Sequence, residues 1–460
     1  MELLPMQSTQ HSRSNVTETL ALLKIAWPLA IAYLGEMAMF IVDVIIISRL
    51  GATELAGVGL SSTLAFEGSV LAVATLSIVG VLISQANGRE DKVAIAHRLR
   101  QGLIVALVIS IPVILLLLNL EPILILFGQD PEVIEISNRY LFFAAWSYIP
   151  GLCFLVMKDF LAALSRTMPV MVITTAAIAL KAALSYGLVF GVGPLPNMDV
   201  AGAGLATTIS TSFMFVVICL YCFFHKELST LALFAGNWAL DWSLWGRIFR
   251  LGLPIGFIAL FEAGLFAFVA LSMGAIDPNA LAANQIVFNF VGVSFMITMA
   301  LGDAAAIRVA YHLARGEPVT ARRSGVLSLW MATINMSLAA LIYITMGREI
   351  PALLLDTSST DSQPVIAYAA AFFFIAAFFQ LGDGLQAVAS RALRGMEDTF
   401  VPLCLAATGY WAVGAASGYF LAFHFGYGAE GIWVGLAFGL SVTAVLMVSR
   451  FLILSKRLTL

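Results

Sequence analysis

The sequence predicts an all-α integral membrane protein with twelve transmembrane helices in two pseudo-symmetric six-helix bundles. Three observations lead to this prediction: a very apolar composition, twelve apolar stretches long enough to cross a bilayer, and a repeat at about half the chain length. The repeat places Pro28 and Glu36 on Pro254 and Glu262, a shift of 226 residues. Each glutamate would lie in hydrocarbon, where a carboxylate costs several kcal/mol. A duplicated membrane domain with such a residue in each copy is typical of a transporter.

The composition indicates that the surroundings of this chain are lipid. Of its 460 residues, 61% are hydrophobic and 11% are charged, and the mean hydropathy is +0.97. Soluble domains carry about 25% charged residues. The net charge of −3, without a basic face or an aromatic RNA-binding motif, gives no indication of nucleic-acid binding. All four cysteines lie in apolar segments, where cysteine is usually a packing residue, so neither disulfides nor a cysteine metal site is expected.

Twelve apolar segments are long enough to span the hydrocarbon, which takes about 20 residues. None shows the alternating pattern of a membrane strand, so all are predicted to be helices. The first segment is preceded by a polar stretch without the features of a signal peptide and should remain as an anchor. The predicted spans are 20–48, 57–85, 101–126, 138–163, 168–192, 202–226, 246–274, 280–306, 324–347, 364–390, 400–425 and 430–453.

Lysine and arginine alternate between the loops, which predicts the orientation of the helices. One set of loops is rich in these residues and includes Lys158 and Arg166, whereas the opposite set holds only Arg49, Arg139 and Arg348. Both termini are therefore expected in the cytoplasm. The predicted parts are a cytoplasmic tail at 1–19, a first lobe at 20–230, a cytoplasmic linker at 231–245 and a second lobe at 246–460.

The repeat and the glycines predict how the helices pack. Six helices return the chain to its starting side, so the two repeats are parallel and related by an axis along the membrane normal. Closely spaced glycines allow helix backbones to approach each other in hydrocarbon. We expect packing within the chain, rather than a dimer contact, along the ladders Gly431, Gly435, Gly439 and Gly414, Gly418.

In the second half, polar residues on three helices form a candidate cation-binding set. Glu262 lies near the middle of the seventh helix, and Asp383 lies in the tenth between Gln380 and Gln386. Their spacing of three residues places these tenth-helix side chains on one face. Asn289 adds a carboxamide from the eighth helix. Such a set suits a pocket for Na⁺ or a carboxyl pair for a proton, and the alternative is structural carboxyls held by hydrogen bonds.

In the first half, two carboxylates lie two helical turns apart at Glu36 and Asp43. Lys181 lies in the middle of the fifth helix, where an unpaired ammonium would be costly. We therefore expect Lys181 to pair with Asp43 or Glu36, either as part of the transport machinery or as a structural ion pair. Near the inner end of the eighth helix, Asp303 is expected to pair with the nearby Arg308.

Several short motifs, in their order and spacing, resemble the multidrug and toxic compound extrusion (MATE) family, and its NorM-like branch in particular. The resemblance spans essentially all twelve helices. It departs from the branch at Lys181, where members tend to carry asparagine, and at Glu36, an additional carboxylate. The matching segments are Phe40-Ile-Val-Asp43, Leu50–Ala56, Gly252-Leu-Pro254, Phe261-Glu262, Ala283-Asn-Gln285 to Asn289, Ile307-Arg308-Val309 and Leu393-Arg394-Gly395.

The resemblance implies a secondary active transporter without a cofactor in a bacterial inner membrane, and the chain is expected to be monomeric. It would export amphipathic, often cationic aromatic drugs in exchange for Na⁺ or H⁺ by alternating access. The implied cation-coupling residues are Glu262, Asp383, Asn289 and Asp43, with Na⁺ held at Glu262 and Asp383. Glu36, the additional carboxylate of the first helix, is a further candidate for cation coupling. Pro28 and Pro254 would kink the first and seventh helices. The expected substrate cavity is lined by Gln285, Gln380, Gln386, Lys181, Phe261 and Phe288.

Two other functions were compared with this prediction. A lipid-linked oligosaccharide flippase shares the general architecture, but it needs a wide cationic cavity, and Lys181 alone is a narrow basis for one. An intramembrane aspartyl protease is suggested by Leu381-Gly-Asp383 and Leu301-Gly-Asp303. That chemistry pairs two aspartates in a GxGD signature, and both triplets lack the first glycine.

Overall fold

The computed structural model describes residues 5–355 and 362–459, with side chains from residue 15. Residues 1–4 of the predicted tail lie outside the described residues. The described chain is helical and contains no strand. Within these described ranges, twelve helices are long and apolar enough to cross a membrane, which confirms the predicted number. We label them α1 Asn15–Ile47, α2 Ala52–Gly88, α3 Lys92–Leu118, α4 Pro131–Ala163, α5 Met168–Phe190, α6 Val200–Phe224, α7 Trp242–Ile276, α8 Pro278–Ala314, α9 Pro318–Met346, α10 Ser362–Gly395, α11 Phe400–His424 and α12 Gly428–Thr459.

Most of the helices are longer than the predicted spans, mainly at their polar ends, whereas α5, α6 and α11 are not. The helix that contains α1 begins at Pro5, within the stretch predicted as a tail. Asp91 caps α3 by accepting a hydrogen bond from the Ala94 amide at 2.9 Å, and Asp130 caps α4 in the same way from Glu132 at 2.9 Å. Such caps provide hydrogen-bond acceptors for the first backbone amides of a helix, which have no acceptor within the helix itself. Three short helices lie between the long ones, at Glu121–Leu126, Lys226–Ser229 and Glu349–Leu354.

The chain forms two compact units whose boundaries lie inside helices rather than in the linker. The N-terminal unit comprises Ile31–Gly256, and the C-terminal unit comprises Phe257–Leu460 together with Met1–Ala30. The boundaries within α1 and α7 each follow a proline, Pro28 and Pro254, by two residues. A proline inside a helix removes one backbone hydrogen bond. The lobe boundaries at 230 and 246 and the kinks at both prolines stay predictions.

In the C-terminal unit, the start of α1 is held by an ion pair. Arg308 on α8 donates to both carboxylate oxygens of Glu18, at 2.9 and 2.6 Å, and Ser324 of α9 adds a hydrogen bond at 2.6 Å. The predicted pair between Asp303 and Arg308 is therefore wrong. Five residues along a helix turn a side chain by about 140°, so these two residues point in different directions. Asp303 instead accepts from two arginines of α10, Arg391 at 3.1 Å and Arg394 at 2.6 Å.

In the N-terminal unit, the predicted linker lies against α3. The Arg100 guanidinium donates to the carbonyls of Ala232, Leu233 and Ala235, at 3.3, 3.2 and 2.8 Å. His97 lies 3.0 Å from Asp241, and the hydrogen bond between them lowers the pKa of that carboxyl below its usual range. These contacts fix the segment that leads into α7.

The glycine ladders pack within the chain, as predicted. A Cβ placed at Gly435 on α12 would meet the backbone of Gly418 on α11 and would lie 2.9 Å from the Gly414 carbonyl oxygen. A Cβ placed at Gly439 would likewise meet Gly414. Helices α11 and α12 therefore approach each other along their backbones, which larger residues would prevent.

Candidate functional site

Two carboxylates of the C-terminal unit are joined by one amide. Gln386 Nε2 donates to Glu262 Oε1 at 3.1 Å and reaches Asp383 Oδ1 at 3.5 Å. Asp383 and Gln386 are buried on α10, and Glu262 is half-buried on α7. We call Glu262 and Asp383 the carboxylate pair. The sequence placed these three residues in one candidate site, and the structure brings them together.

A tyrosine that the sequence did not indicate completes this arrangement. Tyr410 is fully buried, and its hydroxyl donates to Gln386 Oε1 at 2.7 Å. Because Tyr410 holds the side-chain oxygen of Gln386, the side-chain nitrogen of Gln386 points at the carboxylates. Tyr410 lies in a π-helical stretch of α11, Thr408–Ala415. Such stretches are rare, occur often at functional sites and change the direction of side chains relative to an α-helix.

Gln380 belongs to a different hydrogen-bonded group. Its amide nitrogen donates to Ser294 Oγ at 2.7 Å and to the Tyr343 hydroxyl at 3.3 Å. Tyr343 in turn donates to the Phe290 carbonyl at 2.9 Å. Although Gln380 lies one turn from Asp383, these bonds orient it toward α8 and α9.

The remaining predicted residues of this unit lie on α7 and α8. Asn289 and Gln285 are exposed, and Asn289 Nδ2 donates to the Gln285 carbonyl at 2.9 Å. Phe288 is half-buried, with its ring centroid 5.1 Å from that of the buried Trp433. Phe261 lies next to Glu262, and its ring centroid is 6.3 Å from that of Phe257. Among the described contacts, none links Asn289 to the carboxylate pair, and a cation-binding role for it stays a prediction.

In the N-terminal unit, Lys181 pairs with Asp43, which confirms one of the two expected partners. The ammonium lies 2.8 Å from Asp43 Oδ2, and Ser185 donates to Asp43 Oδ1 at 3.3 Å. Lys181 and Asp43 are 5% and 3% exposed, so this is a buried ion pair within membrane helices. A fixed ammonium thus occupies the position beside Asp43 that a bound cation would need.

Glu36 has a different partner, Lys158 of α4. The two side chains approach to 3.6 Å, and the Lys158 ammonium also lies 4.4 Å from the centre of the Tyr33 ring. The prediction that Lys158 belongs to a basic loop is wrong, because this residue is buried inside a helix. Its position five residues before the helix end, near Arg166, made it look like part of a basic loop. The N-terminal unit therefore holds two buried lysines, each beside a carboxylate of α1.

The described residues contain no group of three or more histidine, cysteine, aspartate or glutamate side chains that could hold a metal ion. The carboxylate pair offers carboxyl oxygens from two helices and has no cysteine or histidine among its described contacts. Oxygen donors of this kind suit hard cations or protons rather than transition metals.

Comparison with known proteins gives a consistent assignment. The MatE family model matches residues 28–187 and 254–420. The chain is 37% identical over 448 residues to a probable multidrug resistance protein NorM of Bradyrhizobium diazoefficiens, covering 97% of this chain and 95% of that protein. It is 34% identical to multidrug resistance protein NorM of Burkholderia vietnamiensis, covering 93% of this chain and 92% of that protein.

Solved structures share the fold. The crystal structure of a eukaryotic MATE transporter, AtDTX14, superposes with a TM-score of 0.85 at 21% identity, covering 97% of this chain and 99% of that chain. An outward-facing multidrug resistance MATE transporter superposes with a TM-score of 0.85 at 17% identity, covering 96% of each chain. The family model, the near full-length relatives and the shared fold agree: the chain belongs to the MatE family, as the resemblance in its motifs predicted.

Proposed function

We propose that this protein is a multidrug exporter driven by the exchange of Na⁺ or H⁺ at the carboxylate pair. The observation that carries the proposal is the arrangement of Glu262, Gln386 and Asp383, with two acidic groups on different membrane helices joined by one amide. Ionisable residues inside membrane segments usually mark ion pathways or proton relays. The relatives named as multidrug resistance proteins support the export of drugs by this chain.

The chemistry follows from the spacing of the charges. Two carboxylates within reach of one amide repel each other when both are ionised, so one proton or one Na⁺ between them stabilises the pair. The Gln386 amide nitrogen donates to both carboxylates, and its oxygen accepts from Tyr410. Because Tyr410 holds this oxygen, Gln386 can stay in the site whether or not the pair has bound a cation. Cation entry thus changes the charge of the pair, and that change biases the equilibrium between the two access states.

Coupling through the C-terminal unit is favoured by the ion pair of the other unit. The Lys181 ammonium is paired with Asp43, so a second cation beside Asp43 would face like-charge repulsion. The carboxylate pair has no ion-pair partner among the described contacts, and Arg391, the positive charge that acts on it, is itself bound to Asp303. The exported solutes are proposed to be amphipathic and aromatic, in keeping with the aromatic side chains of this unit around Phe288 and Trp433.

The two alternative functions are less well supported. A flippase for a pyrophosphate-linked sugar needs free positive charge, but both buried lysines of the N-terminal unit already lie beside carboxylates. A protease needs two aspartates that act together, but Asp303 binds Arg391 and Arg394, whereas Asp383 lies beside Gln386. Its family makes this chain a transporter, not an enzyme.

Replacing Glu262 with Gln tests the proposal. We expect Glu262→Gln to abolish gradient-driven export of ethidium from proteoliposomes and to leave thermal unfolding unchanged, because the amide keeps the shape but carries no negative charge and cannot take up a proton. The Na⁺ gradient and the pH gradient are collapsed one at a time in the wild-type protein to identify the coupling ion. Glu349→Gln, the same change at an exposed position of this unit, is the control. Full export by the Glu262 variant would refute the assignment.

A further inference from the structure

A carboxylate near the middle of a membrane helix of the N-terminal unit has no counter-charge among the described contacts. Glu67 lies near the middle of α2 and is half-buried. Within the described part of the chain it has neither an ion pair nor a hydrogen bond, whereas Glu36 and Asp43 each lie beside a lysine. Of these three carboxylates, Glu67 is the one that has no lysine beside it in the described part of the chain.

Glu67 lies on a stripe of α2 whose side chains are neither fully buried nor fully exposed. One side of α2 is buried, for example at Ala65, and another is open, with Phe66 65% exposed. Glu67 lies between them. It shares the intermediate exposure of Leu64 and Leu71, which are three residues before and four residues after it on the same helical face. Leu71 contacts Gly256 at the end of this unit's part of α7, so the stripe faces another helix of the protein.

An ionised carboxylate at such a position is costly unless a positive charge comes to it. The identity of that charge follows from the surroundings of Glu67. Small inorganic cations bind where several oxygens converge, and within the described residues Glu67 belongs to no group of three or more carboxylate, histidine or cysteine side chains that could hold a metal ion. An organic cation brings apolar surface of its own, which matches the leucines on either side of the carboxylate.

We propose that Glu67 binds the positive charge of cationic, aromatic substrates in the N-terminal unit. The inference rests on the proposed function and names the residue that selects for charge. It explains how a transporter whose Asp43 is neutralised by Lys181 still recognises a cation. Glu67 acts through an ionic contact with the substrate, while the coupling ion is exchanged at the carboxylate pair.

The test compares a cation with a neutral molecule of similar shape. Binding of tetraphenylphosphonium and of triphenylphosphine oxide to the purified full-length protein in detergent is measured by equilibrium dialysis, without any ion gradient. We expect Glu67→Gln to weaken tetraphenylphosphonium binding about tenfold or more, the loss of one close charge contact. Binding of the neutral oxide should change by less than about twofold. Glu67→Asp, which retains the charge, should keep most of the affinity for the cation.

Two controls separate this proposal from the proposed function. Glu54→Gln removes a carboxylate from the first turn of the same helix and should leave both affinities unchanged. Glu262→Gln should bind tetraphenylphosphonium but fail to export it. Unchanged binding of the cation by Glu67→Gln, or an equal loss for both probes, would overturn the role of Glu67 and leave the coupling site unaffected. A wild-type protein that binds no tetraphenylphosphonium would overturn both the role and the proposed class of substrate.

Discussion

At the scale of single residues, the buried pair of Lys181 and Asp43 determines what the N-terminal unit can bind. Both side chains are almost completely removed from solvent, and they are 2.8 Å apart. Forming such a pair gains little net stability, because both charges lose their solvation, but breaking it leaves one buried charge without a partner. The pair is therefore a strong constraint on sequence even if it contributes little to folding.

This asymmetry predicts the result of a double-mutant cycle. Lys181→Met should lower the free energy of unfolding by about 3–5 kcal/mol, because Asp43 stays buried and unpaired. The double variant Asp43→Asn with Lys181→Met should recover most of that loss, since neither charge is left. Unfolding is followed by the reaction of a thiol-sensitive dye with the buried Cys153 and Cys222. If Lys181→Met alone unfolds like the wild-type protein, the pair has no structural importance.

Some residues of the candidate site can be predicted from the sequence and others cannot. The pairing of Lys181 followed from its position in the middle of an apolar segment, where an ammonium needs a partner. The role of Tyr410 could not be predicted, because it depends on a π-helical stretch that changes the direction of the side chain. Lys158 was assigned to a loop because nothing in composition separates a cation near the end of a helix from one just beyond it. Arg308 was given the wrong partner because Glu18 is distant in sequence.

At the scale of helices, the close contact of α11 and α12 depends on the absence of side chains. Gly435 and Gly439 of α12 face the backbone of Gly418 and Gly414. This contact was predictable, since glycines at intervals of four residues form one smooth face of a helix. The irregular π-helical geometry of α11, which also contains Tyr410, lies along the same contact. Packing of α12 thus supports the helix that orients Gln386.

A single methyl group should disturb this contact. Gly435→Ala is expected to destabilise the protein by about 1–3 kcal/mol, because the added Cβ meets backbone that cannot move aside as a side chain would. Thermal unfolding in detergent measures the effect. Val434→Leu, which adds a methylene at the neighbouring exposed position, should unfold like the wild-type protein. Equal unfolding temperatures for Gly435→Ala and this control would show that the helices are not in close contact.

At the scale of the whole molecule, the number of helices was predictable and the boundaries of the compact units were not. Apolar length is a local property, so all twelve spans could be counted from the sequence. The units divide inside α1 and α7, shortly after Pro28 and Pro254, because the first part of each helix packs with residues far along the chain. The contact of Glu18 with Arg308 and the contacts of Arg100 with the linker show this long-range packing. No local pattern predicts such partners.

The alternation of charge along the whole chain also predicts its orientation in the membrane. Loops rich in lysine and arginine stay in the cytoplasm, and an even number of spans returns the chain to its starting side. Green fluorescent protein, which fluoresces only when it folds in the cytoplasm, should therefore be bright when fused to either end. In intact cells, an impermeant maleimide should label Gln129→Cys, between α3 and α4, and should not label Arg89→Cys, between α2 and α3. After the cells are opened, both should react. A dark fusion at one end, or the reverse order of labelling, would contradict the assigned orientation and with it the direction of export, because an exporter must release its substrate on the side that Gln129 faces.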